Sequence, residues 1–392
     1  MSMKNFLYRS LIAPFTSVER SILYLCTFFG QFGFTGLLVY FAFDLASMDL
    51  KAVLGFFSGK FIFSNLFFLP MLFIIVQRSK TPLVFMALVI TQLLAMAALF
   101  YNKDLFNSGI FGDTFFVGVI LSFVTEPFWV IYHYLMLKLT SAENRGHEVS
   151  VAELGLQIGS AVGALGAGMM LTFMPGYIFP IFAGFLMIVP TSLLSILSTQ
   201  NFEPPSAAEA QTSFLAPYIV LFQQWRLSLA TIMQGVLEGL TVYYAPLWMK
   251  LLGFSAIIMS SLTSAKLIAR ILISPLTGHL FEKKNREELK LGSAIYIISW
   301  LPWLVLSNAV SFIISSVLWS LYNHLIKVGL DGRWYDNQTM DGMATREVAM
   351  GIGRVLALLT VAPLIIISPF IFFIGAIGAG FVFLATSYVL KK

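Results

Sequence analysis

Apolar residues run through this chain in long stretches broken by short polar ones, and the spacing of the breaks decides its class. A window of about 20 residues, the length that crosses roughly 30 Å of hydrocarbon, picks out twelve apolar segments. They lie at residues 21 to 43, 52 to 76, 83 to 100, 114 to 137, 150 to 172, 177 to 198, 226 to 248, 254 to 278, 290 to 306, 308 to 329, 345 to 366 and 368 to 390. These runs are too long and too uniformly apolar for barrel strands. A backbone in lipid must satisfy its own hydrogen bonds, so each is predicted to be a membrane-crossing helix. Turns are expected at Met174-Pro-Gly176, Leu301-Pro302 and Ser368-Pro369.

Composition agrees. Apolar residues make up 58% of the chain and charged ones 11%, with a mean hydropathy of +0.86, whereas a soluble domain carries about a quarter charged. The net charge of +5 is scattered over short loops, which argues against nucleic-acid binding. Cys26 is the single cysteine, so an intrachain disulfide and a thiolate metal site are excluded. His147-Glu148 opens like a zinc-protease motif, but position 151 is valine, and no metal pair, catalytic constellation or cofactor motif is present. Residues 1 to 20 mix Lys4, Arg9, Glu19 and Arg20 with apolar positions and lack a small-residue cleavage site; they are expected to be a retained cytoplasmic segment.

Lysine and arginine set the orientation. With both termini in the cytoplasm, seventeen basic residues fall on that side against Lys51, Lys103 and Lys250 outside. The stretch 199–214, with Pro204-Pro205, separates residues 1–198 from 215–392 and is the expected cytoplasmic linker. The sequon Asn337-Gln-Thr339 falls on the cytoplasmic side, where no glycan is expected.

The two parts resemble each other. Gly36-Leu-Leu-Val-Tyr-Phe-Ala42 returns as Gly239-Leu-Thr-Val-Tyr-Tyr-Ala245, Ser58-Gly-Lys60 as Ser264-Ala-Lys266, and Trp129-Val-Ile-Tyr132 as Trp319-Ser-Leu-Tyr322. Glu153 with Ile158-Gly159 returns as Glu347 with Ile352-Gly353. Four matches in one order, offset by 190 to 206 residues, predict two structurally equivalent six-helix halves, and a repeat of that kind in a membrane protein points to a transporter.

Candidate chemistry lies in the ionisable residues inside the apolar segments. Lys60 falls ~12 Å, and Glu126, Glu238 and Lys266 each ~18 Å, from one end of their segments at ~1.5 Å per residue. A charge at mid-bilayer costs at least ~2.5 kcal/mol, so these groups are expected to face the protein interior or water. Segments 3, 6, 9 and 12 carry no such residue centrally, while 2, 4, 7, 8 and 11 do. Lys266 and Arg270 share one face of segment 8, and the set Lys60, Lys266, Arg270 and Arg354 outnumbers Glu126 and Glu238, giving a site expected to be net basic.

The chain resembles a Major Facilitator Superfamily transporter over essentially its whole length. Gly278-His-Leu-Phe-Glu282-Lys283-Lys284-Asn-Arg286 is similar to the family's loop signature between helices 8 and 9, with glutamate for aspartate and lysines for arginine and glycine. The resemblance implies an all-α membrane fold of twelve helices in two pseudo-symmetric halves. Helices 1, 4, 7 and 10 would be innermost and 3, 6, 9 and 12 outermost, as the charge distribution also suggests.

Competing readings remain for individual residues. Glu153 and Glu347 read as a cytoplasmic gate pairing with loop basic residues near Arg78 or Arg286, with Glu282 and Arg286 in the same latch; substrate contact is the alternative. Gly155, Gly159 and Gly163 read as a close-packing helix face. Glu126 and Glu238 are either partners of the buried cations or proton carriers. His133 and His324 are interfacial polar groups or relay members. Tyr40, Trp129, Tyr132, Tyr243, Trp319 and Tyr322 recur in both halves and are expected to line the cavity. The expected protein is a monomeric secondary active transporter of a bacterial inner membrane, moving a small organic anion by alternating access with proton coupling. Lys60, Lys266, Arg270 and Arg354 would neutralise the anion. The alternative is proton-coupled efflux of lipophilic or cationic compounds, recognised by Glu126 and Glu238.

Overall fold

The computed structural model describes residues 17–390 apart from 49, 102–109, 141–144, 174–177, 201–205, 207–208, 210–211, 244–252, 254, 283–286, 306–308, 337–338 and 368. The side chains of Tyr243, Lys266 and Glu282, and the whole of Arg286, lie outside the described residues. Among the described residues all regular structure is helical.

Twelve long rods follow the apolar segments. They are α1 (Val18–Met48), α2 (Leu50–Ser58, Gly59–Phe68 and Leu69–Ser79 in continuous succession), α3 (Pro82–Tyr101), α4 (Phe111–Leu139), α5 (Arg145–Phe173) and α6 (Ile178–Gln200). Then come α7 (Trp225–Glu238, running into Gly239–Tyr243), α8 (Ala256–Glu282), α9 (Glu287–Val305), α10 (Ala309–Asp336), α11 (Met340–Ile367) and α12 (Pro369–Val389). The segments Gly59–Phe68 and Gly239–Tyr243 are π-helical. By length and apolar composition alone, α1 to α6 each contain a stretch able to cross a membrane.

Local chemistry sets the ends. Ser17 caps α1 by accepting the Arg20 N–H at 3.2 Å, and Glu19 in the first turn complements the helix dipole. α2 stops where Lys80 turns left-handed, φ 41°, returning its N–H to the Val76 carbonyl at 2.8 Å. Pro302 departs from expectation: it lies inside α9, not in a turn. It sits in the last turn, where the ring removes the hydrogen bond to the Ile298 carbonyl just before the helix ends, and its own carbonyl is taken by Ser311 at 3.2 Å.

The internal repeat corresponds to repeated packing. α1 packs on α5 and α6 as α7 packs on α11 and α12; α2 and α3 pack on α4 as α8 and α9 pack on α10; α3 meets α6 as α9 meets α12. Gly159 and Gly353, matched in sequence, occupy matched contacts. A Cβ on Gly159 would stand 2.2 Å from the Phe28 carbonyl oxygen of α1, and one on Gly353 would stand 1.9 Å from the Ile232 carbonyl oxygen of α7. Only hydrogen lets these backbones approach so closely, which is how small residues drive helix association in lipid. α3 is the least enclosed of α1 to α6, with 33% of its apolar window buried.

The halves meet along α5 with α8 and α10, and along α2 with α11. The end of the bundle where α4 stops and α5 starts, here the linker end, is closed. There Arg145 donates to the Tyr335 carbonyl at 2.6 Å and pairs with Asp336 at 3.2 Å, while His133 Nδ1 meets Tyr335 Oη at 2.6 Å. A short linker helix, Ala216–Gln223, not signalled by the apolar pattern, lies against α11, where Thr345 donates to the Pro217 carbonyl at 2.9 Å. The residues before it clip to the end of α2: Lys80 pairs with Glu209 at 2.6 Å, and Arg78 donates to the Thr212 carbonyl at 2.6 Å.

Candidate functional site

The interior between the halves holds a network of ion pairs. Lys60, buried in the π-helical stretch of α2, pairs with Glu126 of α4 and donates to Thr125. Neither member of the pair is more than 5% exposed, so the charges are compensated locally. α2 and α4 come this close because Gly118 and Gly59 let them touch backbone to backbone.

In the second half Arg354 of α11 pairs with Glu238 of α7 at 3.0 Å. The other guanidinium nitrogen of Arg354 crosses between halves to donate to Asn65 Oδ1 of α2 at 3.1 Å. Asn65 in turn donates through Nδ2 to Glu347 at 3.3 Å. Glu347 also takes Arg346, which binds Asp331 of α10 at 2.6 Å. His133 Nε2 stands 3.7 Å from Glu347. On the other side Glu153 of α5 pairs with Lys327 of α10 at 2.8 Å, again joining the halves, and Gln157 donates to Glu153 at 3.3 Å.

Arg270 of α8 differs from these cations. Its Nε donates to Ser320 of α10, its Nη1 is buried without a hydrogen-bond partner, and no described carboxylate lies within ion-pair distance. Glu153, Glu238 and Tyr322 are close enough to act on it electrostatically. Among the described cations of this interior, Lys60, Lys327, Arg346 and Arg354 all have carboxylate partners; Arg270 has none.

Two expectations change. Among the described residues the interior charges balance, Lys60, Arg270, Lys327, Arg346 and Arg354 against Glu126, Glu153, Glu238, Asp331 and Glu347, with Lys266 of the expected basic set outside this count. Lys60 does not stand open toward a partner lysine; it is engaged with Glu126, and the Lys266 side chain falls outside the described residues. Glu153 and Glu347 do not pair with loop residues. α5 starts at Arg145 and α11 at Met340, so both carboxylates lie about two turns inside their helices, roughly 11 Å from the loops. Arg78 covers the Phe214 ring at 4.4 Å instead, and Glu282 and Arg286 cannot be placed as latch members because they fall outside the described side chains.

The aromatic residues divide. Trp129 is half-buried, edge-on to Phe34 of α1 at 5.9 Å, and Phe34 also lies 5.7 Å below the Lys60 ammonium, so this pair borders the charged interior. Tyr322 hydrogen-bonds Thr241 and the Leu237 carbonyl of α7, beside Glu238. Tyr132 is buried against Phe128. Tyr40 packs on Phe179 in the α1–α6 contact, and Trp319 sits among Trp300, Trp303 and Phe312 toward α9; both serve helix packing within a half. Tyr243 is outside the described side chains.

Sequence reasoning missed Asn65, Lys327, Asp331 and Arg346. Lys327 and Arg346 lie within two residues of the apolar boundaries at 329 and 345 and Asp331 lies beyond the first, because hydropathy stops where α10 and α11 become polar but remain helical. Asn65 carries no charge and gave no signal.

Helices packed in two matching sets around a buried charge network, closed at one end, describe a membrane transport protein. The chain belongs to the Major Facilitator Superfamily, whose sequence model matches residues 21–330. Its fold is similar to that of the human organic anion transporter MFSD10 (TETRAN), with a TM-score of 0.71 at 13% identity, covering 95% of this chain and 100% of that one. It is also similar to the Major Facilitator Superfamily transporter FucP in the outward conformation, with a TM-score of 0.62 at 11% identity, covering 98% of this chain and 100% of that one. No curated protein matches the sequence significantly. The chain is a multi-pass membrane transport protein, not an enzyme.

Proposed function

We propose that this transporter is a secondary active carrier of a small organic anion, with Arg270 as the cation that meets the cargo. The observation that carries the reading is the buried, unpartnered Nη1 of Arg270, in a helix at the seam between the halves. A planar guanidinium with free donors is suited to bidentate capture of a carboxylate or phosphate. A buried guanidinium without an anion is costly, so an anionic cargo lowers the energy of the loaded state. The fold likeness to an organic anion transporter is consistent with this class.

Coupling falls to Glu126 and Glu238. Protonating either carboxylate frees its partner, Lys60 or Arg354, to redistribute, which links proton uptake to the contacts between halves. In this reading the cargo path opens toward the face opposite the closed linker end, and the basic-residue distribution supports a cytoplasmic linker, residues 199–214 between two six-helix halves, of a protein in a bacterial inner membrane. The working unit is a monomer. Export of lipophilic or cationic compounds calls for an unpaired carboxylate, whereas Glu126, Glu153, Glu238, Asp331 and Glu347 all hold cationic partners.

The test is a flux screen in proteoliposomes over carboxylates, phosphates, amino acids and hydrophobic cations at two pH values. Uptake or exchange of an anion that rises with an imposed proton gradient supports the reading; flux of cations alone overturns it.

A further inference from the structure

We propose that Asn65 is the coupling residue of this transporter, the amide through which α2 senses the charges of α11, and that the π-helical stretch Gly59–Phe68 ties this contact to the Lys60–Glu126 pair. The inference rests on the alternating-access reading above.

Asn65 is buried at 2% exposure, and its two partners both belong to the opposite half. They are of opposite charge: Arg354 gives to Oδ1 and Glu347 takes from Nδ2. Only a side chain with an acceptor at one end and a donor at the other can serve both at once. Arg354 and Glu347 lie two turns apart on one face of α11, with Gly351 between them. A Cβ on Gly351 would stand 2.4 Å from the Asn65 Cβ, so the glycine is what lets the amide reach between its partners. Hydrogen bonds to ionised groups are about twice as strong as neutral ones, and both must break when α2 leaves α11.

The π winding supplies the link to the first half. Lys60 and Asn65 are five residues apart, and a π-helix closes its hydrogen bonds over five residues, stacking such positions. In an α-helix, at about 3.6 residues per turn, the same two side chains would diverge by about 140°. The wound-out geometry puts both within reach of Arg354, which bonds Asn65 and acts electrostatically on Lys60. A change at the Lys60–Glu126 pair that rewinds the stretch therefore turns Asn65 away from α11 and releases the halves.

The experiment uses the full chain in nanodiscs, in a C26S background, with spin labels at Lys138 and Thr339 at the linker end and pulsed dipolar distance measurement. The unaltered interior should give mainly the short, closed distance. N65A should raise the ratio of open to closed populations at least tenfold, and N65D should do the same by facing Glu347 with a second negative charge. Adding E347Q to N65D exchanges the amide and the carboxylate and should restore the closed distance, an outcome that general loosening of the fold does not produce. A second label pair at Lys138 and Gln200, within one half, should stay unchanged throughout. An unaltered distribution in N65A, or no recovery in N65D with E347Q, overturns the inference. The distances decide this whatever the anion screen finds, so its failure is separable from failure of the proposed function.

Discussion

Breaking the Lys60–Glu126 pair distinguishes a locally compensated charge from a cargo-binding one. In K60A the Glu126 carboxylate, 5% exposed and buried between α2 and α4, loses its cation, and Thr125 loses a donor. Removing one member of a buried pair costs about 3–5 kcal/mol, because the remaining charge stays desolvated. E126Q should cost a similar amount by stranding Lys60. Replacing both with apolar residues of like volume, K60M with E126L, should cost far less than the sum of the K60M and E126L single losses, giving a coupling energy of several kcal/mol in a double-mutant cycle. The assay is reversible unfolding of the purified protein in detergent, followed by helical circular dichroism. Additive losses, or a K60A variant as stable as the parent but defective in anion flux, would refute the pairing argument and return Lys60 to the cargo site.

Close glycine contacts give a second expectation: G159A and G353A each force a Cβ against a backbone carbonyl, at 2.2 and 1.9 Å, and should lower folded yield and thermal stability sharply, whereas G112A, with open space at its Cβ, should not. The linker clip should release in acid. Burial raises the Glu209 carboxyl, but the hydrogen bonds from Lys80 and the Ser206 N–H outweigh it and hold the group below its ordinary 4.5. A depressed folded value stabilises the clip above that pH and is lost as pH falls through the folded value, so digestion of the linker by an acid protease should accelerate below about pH 4.5 and be pH-insensitive in E209A. Since Glu209 is about one-third exposed, K80A should cost well under ~1 kcal/mol of global stability while exposing the linker.

The helices were legible because lipid imposes one rule on every residue of a span. Predicted and observed rods agree to a few residues at most ends, as at 83 to 100 against Pro82–Tyr101. Where that rule stops, so does the signal. α10 and α11 continue to Asp336 and back to Met340 as polar helices, hiding Asp331 from the hydropathy window and leaving Arg346 at the edge of one. The repeat was legible in Gly159 and Gly353 because backbone contact tolerates no substitute. Tyr40 and Trp319, equally well matched in sequence, pack within their halves, since a tyrosine or tryptophan is as useful in a core as in a cavity. Charge identity was readable and charge partnership was not: sequence counted Lys60, Arg270 and Arg354 as one basic set, but the partners that neutralise two of them are fixed by which helix faces meet.

The central claim is that Arg270 holds an anionic cargo, and counterflow of a radiolabelled organic anion into proteoliposomes preloaded with the same anion tests it most directly. Counterflow needs binding and reorientation but no proton gradient. R270A should abolish it at unchanged reconstitution, and R270K should retain weakened exchange with a raised half-saturation concentration; full exchange by R270A would contradict the account.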